Sequence, residues 1–368
     1  MLLVSGRDPE TTCIKASMYV ARVTRRIELL GLDIAETEAA LLCGKATDGL
    51  CVHINGTEVP VTNAIKSLGV ILDRGLTFKR HLCYVEEKAD RVLRALWRLL
   101  PNLKGPGEAK RRLYVNIIHS VMLYAAPVWA DQVAIFKTYR TPLLRIQRHM
   151  ALRVISGYRT ISYEAALLLA RIPPVHFLAS RHRRAYQRLQ MVREAGEDGN
   201  ETRREIGLAA DLLMFRQWEA SLEGEDLPGR RVREALLPVF YEWMHRKTGG
   251  LHYHLTQLMA GHGSFGDYLT RIGKRPSPDC PHCGAGVDSA DHTIGECPAW
   301  DVPRRDMIRE IGENLSWPAI VRAMVQGGEK KWKAVSTFAT KVLTAKEVAE
   351  REKEKRKKEE EEESLRRS

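Results

Sequence analysis

The segment CPHCGAGVDSADHTIGEC, residues 280–297, constrains the fold of this chain more than any other, because it groups four soft metal ligands. Cys280, Cys283, His292 and Cys297 follow the spacing C-x2-C-x8-H-x4-C. Thiolate sulfur and imidazole nitrogen bind zinc tetrahedrally, and four protein ligands leave no position open for a reacting water. The pattern therefore predicts a structural zinc site, whose metal would stabilise a segment that has almost no apolar core of its own.

Two alternatives to this ligand set stay open in the sequence. The three thiols and the histidine could be unrelated core or surface residues, and His262 or His282 could replace one of the ligands. The other cysteines are scattered and lack the spacing of a disulfide framework, which is typical of a reducing compartment, so we expect an intracellular protein. The basic run KEKRKK at 353–358 is either a nuclear address or a solvated helix, and we expect a nuclear location.

Positive charge is concentrated in the middle of the chain. The net charge is +12, and the tail at 346–368 contributes nothing to it, because its nine basic and nine acidic residues cancel. Residues 140–193 hold eleven arginines, no lysine and one acid, Glu164, for a net charge of +10. Guanidinium groups match phosphate oxygens, and a solvated helical face would carry more acids, so the segment predicts a nucleic-acid interface. The candidate contacts are Arg140, Arg145, Arg148, Arg153, Arg159, Arg181, Arg183 and Arg184.

The hydrophobic pattern is mixed at the start of the chain and helical afterwards. Short apolar runs predict strands at 1–6, 39–44, 51–54 and 67–73, with a helix at 18–30. Apolar residues at helical spacing predict helices at 83–100, 108–126, 143–155 and 181–193. Residues 194–205 are typical of a linker, and 346–368 of a mixed-charge helix or a disordered tail. No run of eighteen apolar residues occurs, so we expect no membrane partner.

An ordered series of motifs resembles one family of proteins. The series is IKSLGVILDRGLTFKRHL at 65–82, LLPNLKGPG at 99–107, MLYAAPVWAD at 122–131, QRHMALRVISGYRTISYEAALLLARIPP at 147–174, and QLMAGHGSFGDYLTRIGKRPSPDCPHC at 257–283. Together they resemble the reverse transcriptase of non-LTR retrotransposons, of the type-1 arthropod kind that inserts into ribosomal RNA genes. The resemblance covers about residues 1–310.

The resemblance implies the C-terminal part of a polyprotein that nicks DNA and primes reverse transcription from the nick. Its partners would be RNA and DNA: the primer–template, the element transcript and the target DNA. Leu68, Gly69, Val70 and Asp73 match the strand-turn that holds the primer end. The implied fold is mainly α. It would have an α+β remnant of a polymerase palm (1–75), a helical thumb (76–193), a linker and helical connector (194–275), a CCHC zinc knuckle (276–300), C-terminal helices (301–345) and a charged tail (346–368).

The chain departs from the family at the catalytic residues. Nucleotidyl transfer needs two metal ions held by carboxylates, which the family supplies from a lone Asp and a Tyr-x-Asp-Asp motif. This chain contains no Asp-Asp dipeptide, and a Lys-Thr-Glu step usual in the next motif is here Glu36-Thr37-Glu38. The endonuclease is also missing. We therefore expect zinc in this chain, Mg²⁺ only in the complete polymerase, and no catalysis by the chain alone.

Two other hypotheses are compatible with the same residues. One is a host-adopted, non-catalytic zinc-knuckle protein that binds RNA or DNA as a regulator. The other is an active enzyme whose upstream exons are missing, since the opening MLLVSGRDPE resembles the strand that follows the Tyr-x-Asp-Asp pair.

The missing carboxylates make a direct prediction. In a primer-extension assay with Mg²⁺, the purified chain should incorporate no nucleotide, because no carboxylate pair is available to hold the two ions. Metal-dependent incorporation that requires this chain would contradict our interpretation of the palm.

Overall fold

A computed structural model describes residues 1–34, 37–44, 49–54, 56–99, 101 and 105–367, except for the side chains at 357, 361 and 363–367. Glu36 of the Glu-Thr-Glu step lies outside the described residues, as do positions 100 and 102–104 of the motif at 99–107.

The N-terminal part is α+β, but several of its elements differ from the prediction: its first helix begins nine residues earlier than the predicted helix at 18–30, and only Ala39–Ala40 of the predicted strand at 39–44 form a strand. Helix α1 is Pro9–Glu28. Its N-cap residue is Asp8, whose Oδ1 accepts a hydrogen bond from Thr11 N at 2.8 Å. Residues 1–6, predicted as a strand, have no regular structure, because an apolar run forms a strand only where a neighbouring strand pairs with it. The strands are β1 (Ala39–Ala40), β2 (Cys51–Ile54), β3 (Thr57–Thr62), β4 (Ala64–Ser67) and β5 (Val70–Asp73).

These strands form two small sheets. The first has the order β1-β3-β2, with β1 parallel to β3, and β2 antiparallel to β3 so that Cys51 lies opposite Pro60. The second is the antiparallel hairpin of β4 and β5, in which Ser67 pairs with Val70. The predicted strand at 67–73 is therefore the turn and second strand of a hairpin. Strand β3 was not predicted, since its sequence TEVPVT is mostly exposed and contains a proline.

Beyond Asp73 the described elements are helical, so the prediction of a mainly helical chain is confirmed. The helices are α2 (Lys79–Trp97), α3 (Glu108–Met122), α4 (Ala126–Ile135), α5 (Lys137–Val154), α6 (Tyr163–Ala170), α7 (Val175–Glu194), α8 (Asn200–Ser221), α9 (Arg230–Leu236), α10 (Phe240–His245), α11 (Tyr253–Ala260), α12 (Gly266–Arg271), α13 (Asp301–Ile311), α14 (Trp317–Gln326) and α15 (Gly328–Arg367). Short 3-10 turns lie at Leu237–Val239 and Pro298–Trp300, and a π turn lies at His292–Glu296.

The predicted linker at 194–205 is mostly helix. Helix α8 begins at Asn200, so only residues 195–199 connect it to α7. Asp198 in this turn accepts hydrogen bonds from Arg193 of α7 at 3.1 Å and from Arg203 of α8 at 2.6 Å. One carboxylate therefore joins the two helix ends, a pairing that the Gly-rich composition of the segment did not reveal.

One hydrophobic core runs from Val70 to Leu343 and takes side chains from the hairpin and from most of the helices. Its largest fully buried members include Trp129, Trp243 and Phe338. A separate small cluster lies between α7 and α8. Among the described residues, no single helix is long and apolar enough to cross a membrane, although α3 and α4, bent by 91°, pass that test as a pair.

A buried carboxylate, Glu108, connects distant parts of this core. Its Oε1 accepts hydrogen bonds from Arg112 at 3.0 Å and Arg171 at 3.1 Å, and its Oε2 accepts from Arg246 at 3.4 Å and from Leu251 N at 2.7 Å. Burial by itself would raise the pKa of Glu108, but Arg246, the Leu251 amide and the other two guanidinium groups hold it below its ordinary value. The carboxyl is therefore ionised at neutral pH.

This network predicts a pH-dependent loss of stability in Glu108→Gln. The variant leaves three guanidinium groups without their counter-charge. Its free energy of unfolding at pH 7 should therefore be about 3 kcal/mol lower than that of the wild type. Because the folded pKa is lowered, the stabilisation by Glu108 is present above the pKa of the unfolded carboxyl and is lost as pH falls through the folded pKa. Urea unfolding at several pH values should therefore show the two proteins converging in acid. Glu87→Gln, at an exposed position of α2, is the control, and equal effects of both changes would contradict the role of Glu108.

Candidate metal centre and nucleic-acid interface

The predicted zinc ligands lie together. The ligand atoms of Cys280, Cys283, His292 and Cys297 are all within 4.8 Å of one another. Cys280 Sγ is 3.9 Å from Cys297 Sγ, and Cys283 Sγ is 3.3 Å from His292 Nε2. Two sulfurs on a tetrahedral zinc with bonds of about 2.3 Å would be about 3.8 Å apart. The four residues could therefore hold a metal ion such as zinc.

Two tight turns bring these ligands to one point. In the first, Gly284 N donates to Cys280 O at 2.9 Å and Cys280 N donates to Ala285 O at 2.7 Å. Gly284 has a φ of +77°, a left-handed conformation that glycine adopts without a Cβ penalty. The second is the π turn at 292–296, closed by Cys297 N donating to His292 O at 2.8 Å.

Groups behind the ligands hold them in place. His292 Nδ1 lies 3.3 Å from Glu296 Oε2, and a carboxylate there favours the tautomer whose Nε2 is free to bind a metal. The buried Arg304 donates to Ile294 O at 2.8 Å and to Cys297 O at 2.5 Å, which satisfies carbonyls that the π turn leaves open. These two residues were not singled out in the sequence, because neither stands in the ligand spacing.

The loop between the two ligand pairs is anchored by a buried ion pair. Asp288 binds Lys346 Nζ with one oxygen and accepts from Gly266 N with the other at 3.0 Å. Lys346 also donates to Thr293 Oγ1 at 3.0 Å. Charge counting placed Lys346 at the start of the tail, yet its side chain is only 2% exposed. The candidate metal centre is thus tied to α12 and α15.

The thiols differ in acidity. Hydrogen bonding from the Ala285 amide lowers the pKa of Cys283 to about 7, whereas burial raises the pKa of Cys297 to about 12. Metals bind the thiolate, so protons compete with the metal for these ligands. The metal affinity should therefore decrease as the pH is lowered. The alternative ligands lie elsewhere: His282 packs on Trp300 with ring centroids 4.8 Å apart, and His262 stacks on Tyr268.

A second group of metal-binding residue types lies on the N-terminal sheet. Cys51 and His53 of β2 and Glu58 of β3 have ligand atoms within 4.8 Å of one another. The alternation of strand residues places Cys51 and His53 on one face, a spacing that sequence analysis overlooked. The side chains of His53 and Glu58 are 60% and 71% exposed, and such exposed groups are common without a metal, so we assign no site here.

Several of the candidate phosphate-binding arginines have partners within the protein. Arg181 binds Asp211 through Nε at 2.8 Å and Nη2 at 3.3 Å, and Arg183 binds Asp131 at 2.8 Å. Both acids lie outside residues 140–193, so a charge count over that segment missed them. Arg184 donates to Gln217 Oε1 at 3.3 Å, and Arg140 donates to Ala134 O at 3.2 Å. Arg145 is exposed on α5.

The remaining three candidates line one cavity of about 300 Å³, which we call the Trp97 cleft. The Arg153 guanidinium lies 4.5 Å from the Trp97 ring centroid, and the His149 ring lies 5.5 Å from it. Arg148 donates to Ile161 O and to Arg159 O, so it fixes the turn that carries the exposed Arg159. The lining is completed by Leu152 and Gly157, and it includes no carboxylate from the part of the chain that the structure describes.

The pKa of His149 in the Trp97 cleft is lowered by burial and by Arg148, so this ring is neutral at neutral pH. The cleft therefore owes its positive charge to the guanidinium groups. Tyr158, close in sequence to Arg153 and Arg159, packs on Tyr253, with the two hydroxyl oxygens 2.6 Å apart.

The residues matched to the primer-end motif form the β4–β5 turn. Leu68 and Gly69 both have positive φ, 47° and 82°, as a two-residue hairpin turn requires. Leu68 O accepts a hydrogen bond from Tyr124 at 2.8 Å, and a Cβ on Gly69 would lie 3.1 Å from the same ring. Val70 is buried, and Asp73 accepts from Phe78 N at 3.0 Å at the start of α2. The turn is thus fixed against the helices, with the Leu68 side chain exposed.

Curated proteins resemble this chain over most of its length. It is 28% identical over 269 residues to the "Retrovirus-related Pol polyprotein from type-1 retrotransposable element R1" of Bradysia coprophila, which is 68% of this chain and 25% of that protein. It is 24% identical over 365 residues to the "Putative 115 kDa protein in type-1 retrotransposable element R1DM" of Drosophila melanogaster, which is 93% of this chain and 34% of that protein. This chain is a homologue of the R1 retrotransposon polyproteins.

A shorter part of the chain is similar to a protein named as a polymerase. It is 34% identical over 107 residues to the "RNA-directed DNA polymerase from mobile element jockey" of Drosophila funebris, which is 29% of this chain and 11% of that protein. The chain spans about a quarter and a third of the lengths of the two R1 proteins named above. No protein-family model matches the chain, and no solved structure matches it. The relatives confirm the resemblance to retrotransposon reverse transcriptases.

The geometry of the four ligands predicts that the purified protein contains about one zinc ion per chain. Cys297→Ser should reduce the zinc content measured by mass spectrometry to well under half, while Cys43→Ser, at an exposed cysteine elsewhere, should leave it unchanged. Chelation should speed amide hydrogen exchange in residues 276–300 and leave α3–α5 protected. Unchanged exchange in 276–300 after the metal is removed would contradict a structural role.

Proposed function

We propose that this chain is the C-terminal fragment of a non-LTR retrotransposon polyprotein and that it binds primer–template and element RNA for target-primed reverse transcription. Support comes from relatives named as retrotransposon Pol polyproteins and as an RNA-directed DNA polymerase. The observation that carries the proposal is the Trp97 cleft, which gathers Arg148, Arg153 and Arg159 in one cavity.

The cleft has the chemistry of a phosphate-binding surface. Guanidinium groups bind phosphate oxygens in pairs, and the described residues that line the cleft include three of these groups and no carboxylate. Arg145 adds a charge on the same helix, three residues before Arg148 and therefore next to it on the helix surface. Such contacts give affinity and register, and they recognise sequence little.

Within this proposal each part of the chain has a role. Residues 1–75 are the palm remnant, in which Leu68, Gly69, Val70 and Asp73 position the primer end. Residues 76–193 are the thumb, 194–275 the connector and 276–300 the zinc knuckle, followed by helices at 301–345 and the tail. The Mg²⁺ ions and catalytic carboxylates belong to other parts of the complete polyprotein, which acts in the nucleus.

The experiment compares Arg159→Gln with Arg188→Gln. Both changes remove one exposed guanidinium from the basic segment, but only Arg159 lines the cleft. Binding of a duplex should weaken several-fold in Arg159→Gln at every sequence. The slope of log affinity against log salt concentration should also become shallower by about 0.9, the value for one lost phosphate contact. In the double variant Arg153→Gln and Arg159→Gln, the affinity for the duplex should be weaker still and the salt dependence shallower still.

Fluorescence anisotropy at several salt concentrations measures these slopes. Arg148 is not a suitable variant, because it holds the 159–161 backbone and its loss would disturb the turn. Equal losses in Arg159→Gln and Arg188→Gln would mean diffuse charge attraction, and the cleft would not be the binding site.

A further inference from the structure

Helix α8 carries apolar side chains that face solvent. In its first half, one side of α8 packs on α7 through the small cluster that is separate from the main core. On another side, Leu208, Leu212 and Leu213 are 60%, 46% and 42% exposed, and Ala209 is exposed beside them. We call these four residues the Leu212 stripe. Single exposed leucines are common, but a contiguous apolar patch of this kind is typical of a contact surface.

The Leu212 stripe has opposite charges at its two ends. Glu205 lies one turn before Ala209, and Arg216 lies one turn after Leu212. The two charged residues are eleven positions apart, which is about three helical turns, so they share the side of α8 that carries the stripe. Both are exposed. Arg216 also interacts with the Tyr241 hydroxyl, but the N–H groups of a guanidinium leave donors for a second partner.

The stripe is arranged symmetrically about a point midway between residues 210 and 211. A twofold axis through this point would bring the α8 helices of two copies together in antiparallel orientation. Leu208 would then face Leu213 of the second copy, and Ala209 would face Leu212. The short side chain of Ala209 leaves room for the larger Leu212, and the twofold axis makes each of these contacts occur twice. The surface is thus complementary to itself, as a symmetric dimer requires.

The same symmetry pairs the exposed charges of α8. Residues equally far from the axis come opposite each other, so Glu205 faces Arg216 of the second copy. Arg204 comes opposite the uncharged Gln217, and among the exposed residues of α8 no two like charges face each other. A parallel pair would instead place Glu205 against Glu205 and Arg216 against Arg216. The charges therefore favour the antiparallel orientation.

We propose that a second copy of this chain covers the Leu212 stripe, in an antiparallel contact between the two α8 helices. Leucine side chains offer no donor to a phosphate and Glu205 repels one, so the stripe does not suit nucleic acid. The contact takes one helix from each copy, which places it near the lower limit of about 1,000 Å² for a specific interface. The dissociation constant should therefore be on the order of 10 μM. The proposal uses none of the arginines of the Trp97 cleft and does not rest on nucleic-acid binding.

The test begins with the full wild-type chain, freed of nucleic acid by nuclease treatment. Sedimentation equilibrium from about 1 to 100 μM should show the average mass rising from that of one chain towards that of two. A mass of one chain throughout would overturn the proposal and leave the stripe to a different partner, such as another part of the longer polyproteins that the chain resembles. A mass above that of two chains would also overturn it, because a twofold contact closes with two copies.

Two leucine substitutions locate the contact. Leu208→Glu places a carboxylate against Leu213 of the second copy, twice in each dimer, and should weaken dimerisation at least about tenfold. Leu113→Glu makes the same change at a 63% exposed leucine of α3 and should alter the dissociation constant less than about twofold. Circular dichroism should show wild-type helix content in both variants, because both positions are exposed. Equal weakening in the two variants, or none in Leu208→Glu, would mean that the copies associate elsewhere and would overturn the proposal.

Exchanged charges test the antiparallel orientation. Glu205→Arg brings arginines opposite each other in its own dimer, and Arg216→Glu brings glutamates opposite each other, so each variant alone should dimerise more weakly than the wild type. A one-to-one mixture of the two variants restores both Glu–Arg pairs and should form a mixed dimer with nearly wild-type affinity. Native mass spectrometry with one variant isotopically labelled detects this mixed dimer. A mixture that associates no better than the single variants would overturn the antiparallel contact.

Discussion

The fold depends on the buried carboxylate of Glu108. It binds three guanidinium groups and one backbone amide, and these come from α3, from the residue after α6, and from the segment between α10 and α11. The Arg246 guanidinium in this network also lies 3.9 Å from the Trp243 ring centroid and 5.0 Å from that of Trp332, which brings α15 into the same assembly. Burying the Glu108 carboxylate costs desolvation free energy that is offset only when all of its partners are in place. The network therefore favours one arrangement of these helices over others that would bury the same apolar area.

A second buried ion pair fixes the position of the candidate metal centre, just as Glu108 fixes the helices of the core relative to one another. Asp288 and Lys346 connect the loop between the ligand pairs to a helix that begins 31 residues after Cys297 and packs into the main core. A metal ion would join the four ligands of this segment to one another, and the ion pair attaches the loop between them to α15. The segment is therefore an integral part of the helical core at one side, and its metal ligands are positioned by contacts that extend well beyond 276–300.

Arginine has two different uses in this protein. Arg111 donates to three backbone carbonyls, and Arg181 and Arg183 are neutralised by acids of neighbouring helices, so these side chains hold the fold together. Arg159 presents its guanidinium group to a cavity whose described lining residues include no carboxylate. The proposed nucleic-acid contacts follow from this second class alone. A high arginine content is thus an incomplete guide to binding, because the same planar donor group also satisfies buried carbonyls.

The sequence by itself determined the candidate ligand set, the helical periods and the resemblance to the reverse transcriptase of type-1 non-LTR retrotransposons. Each of these depends on local spacing, since C-x2-C forms a turn and apolar residues three to four apart form a helix face. Only the tertiary structure decided which arginines are neutralised, because Asp131 and Asp211 lie far from their partners in the chain. It likewise placed Lys346 in the core and left residues 1–6 without a strand, since burial and strand pairing depend on neighbours that are distant in sequence.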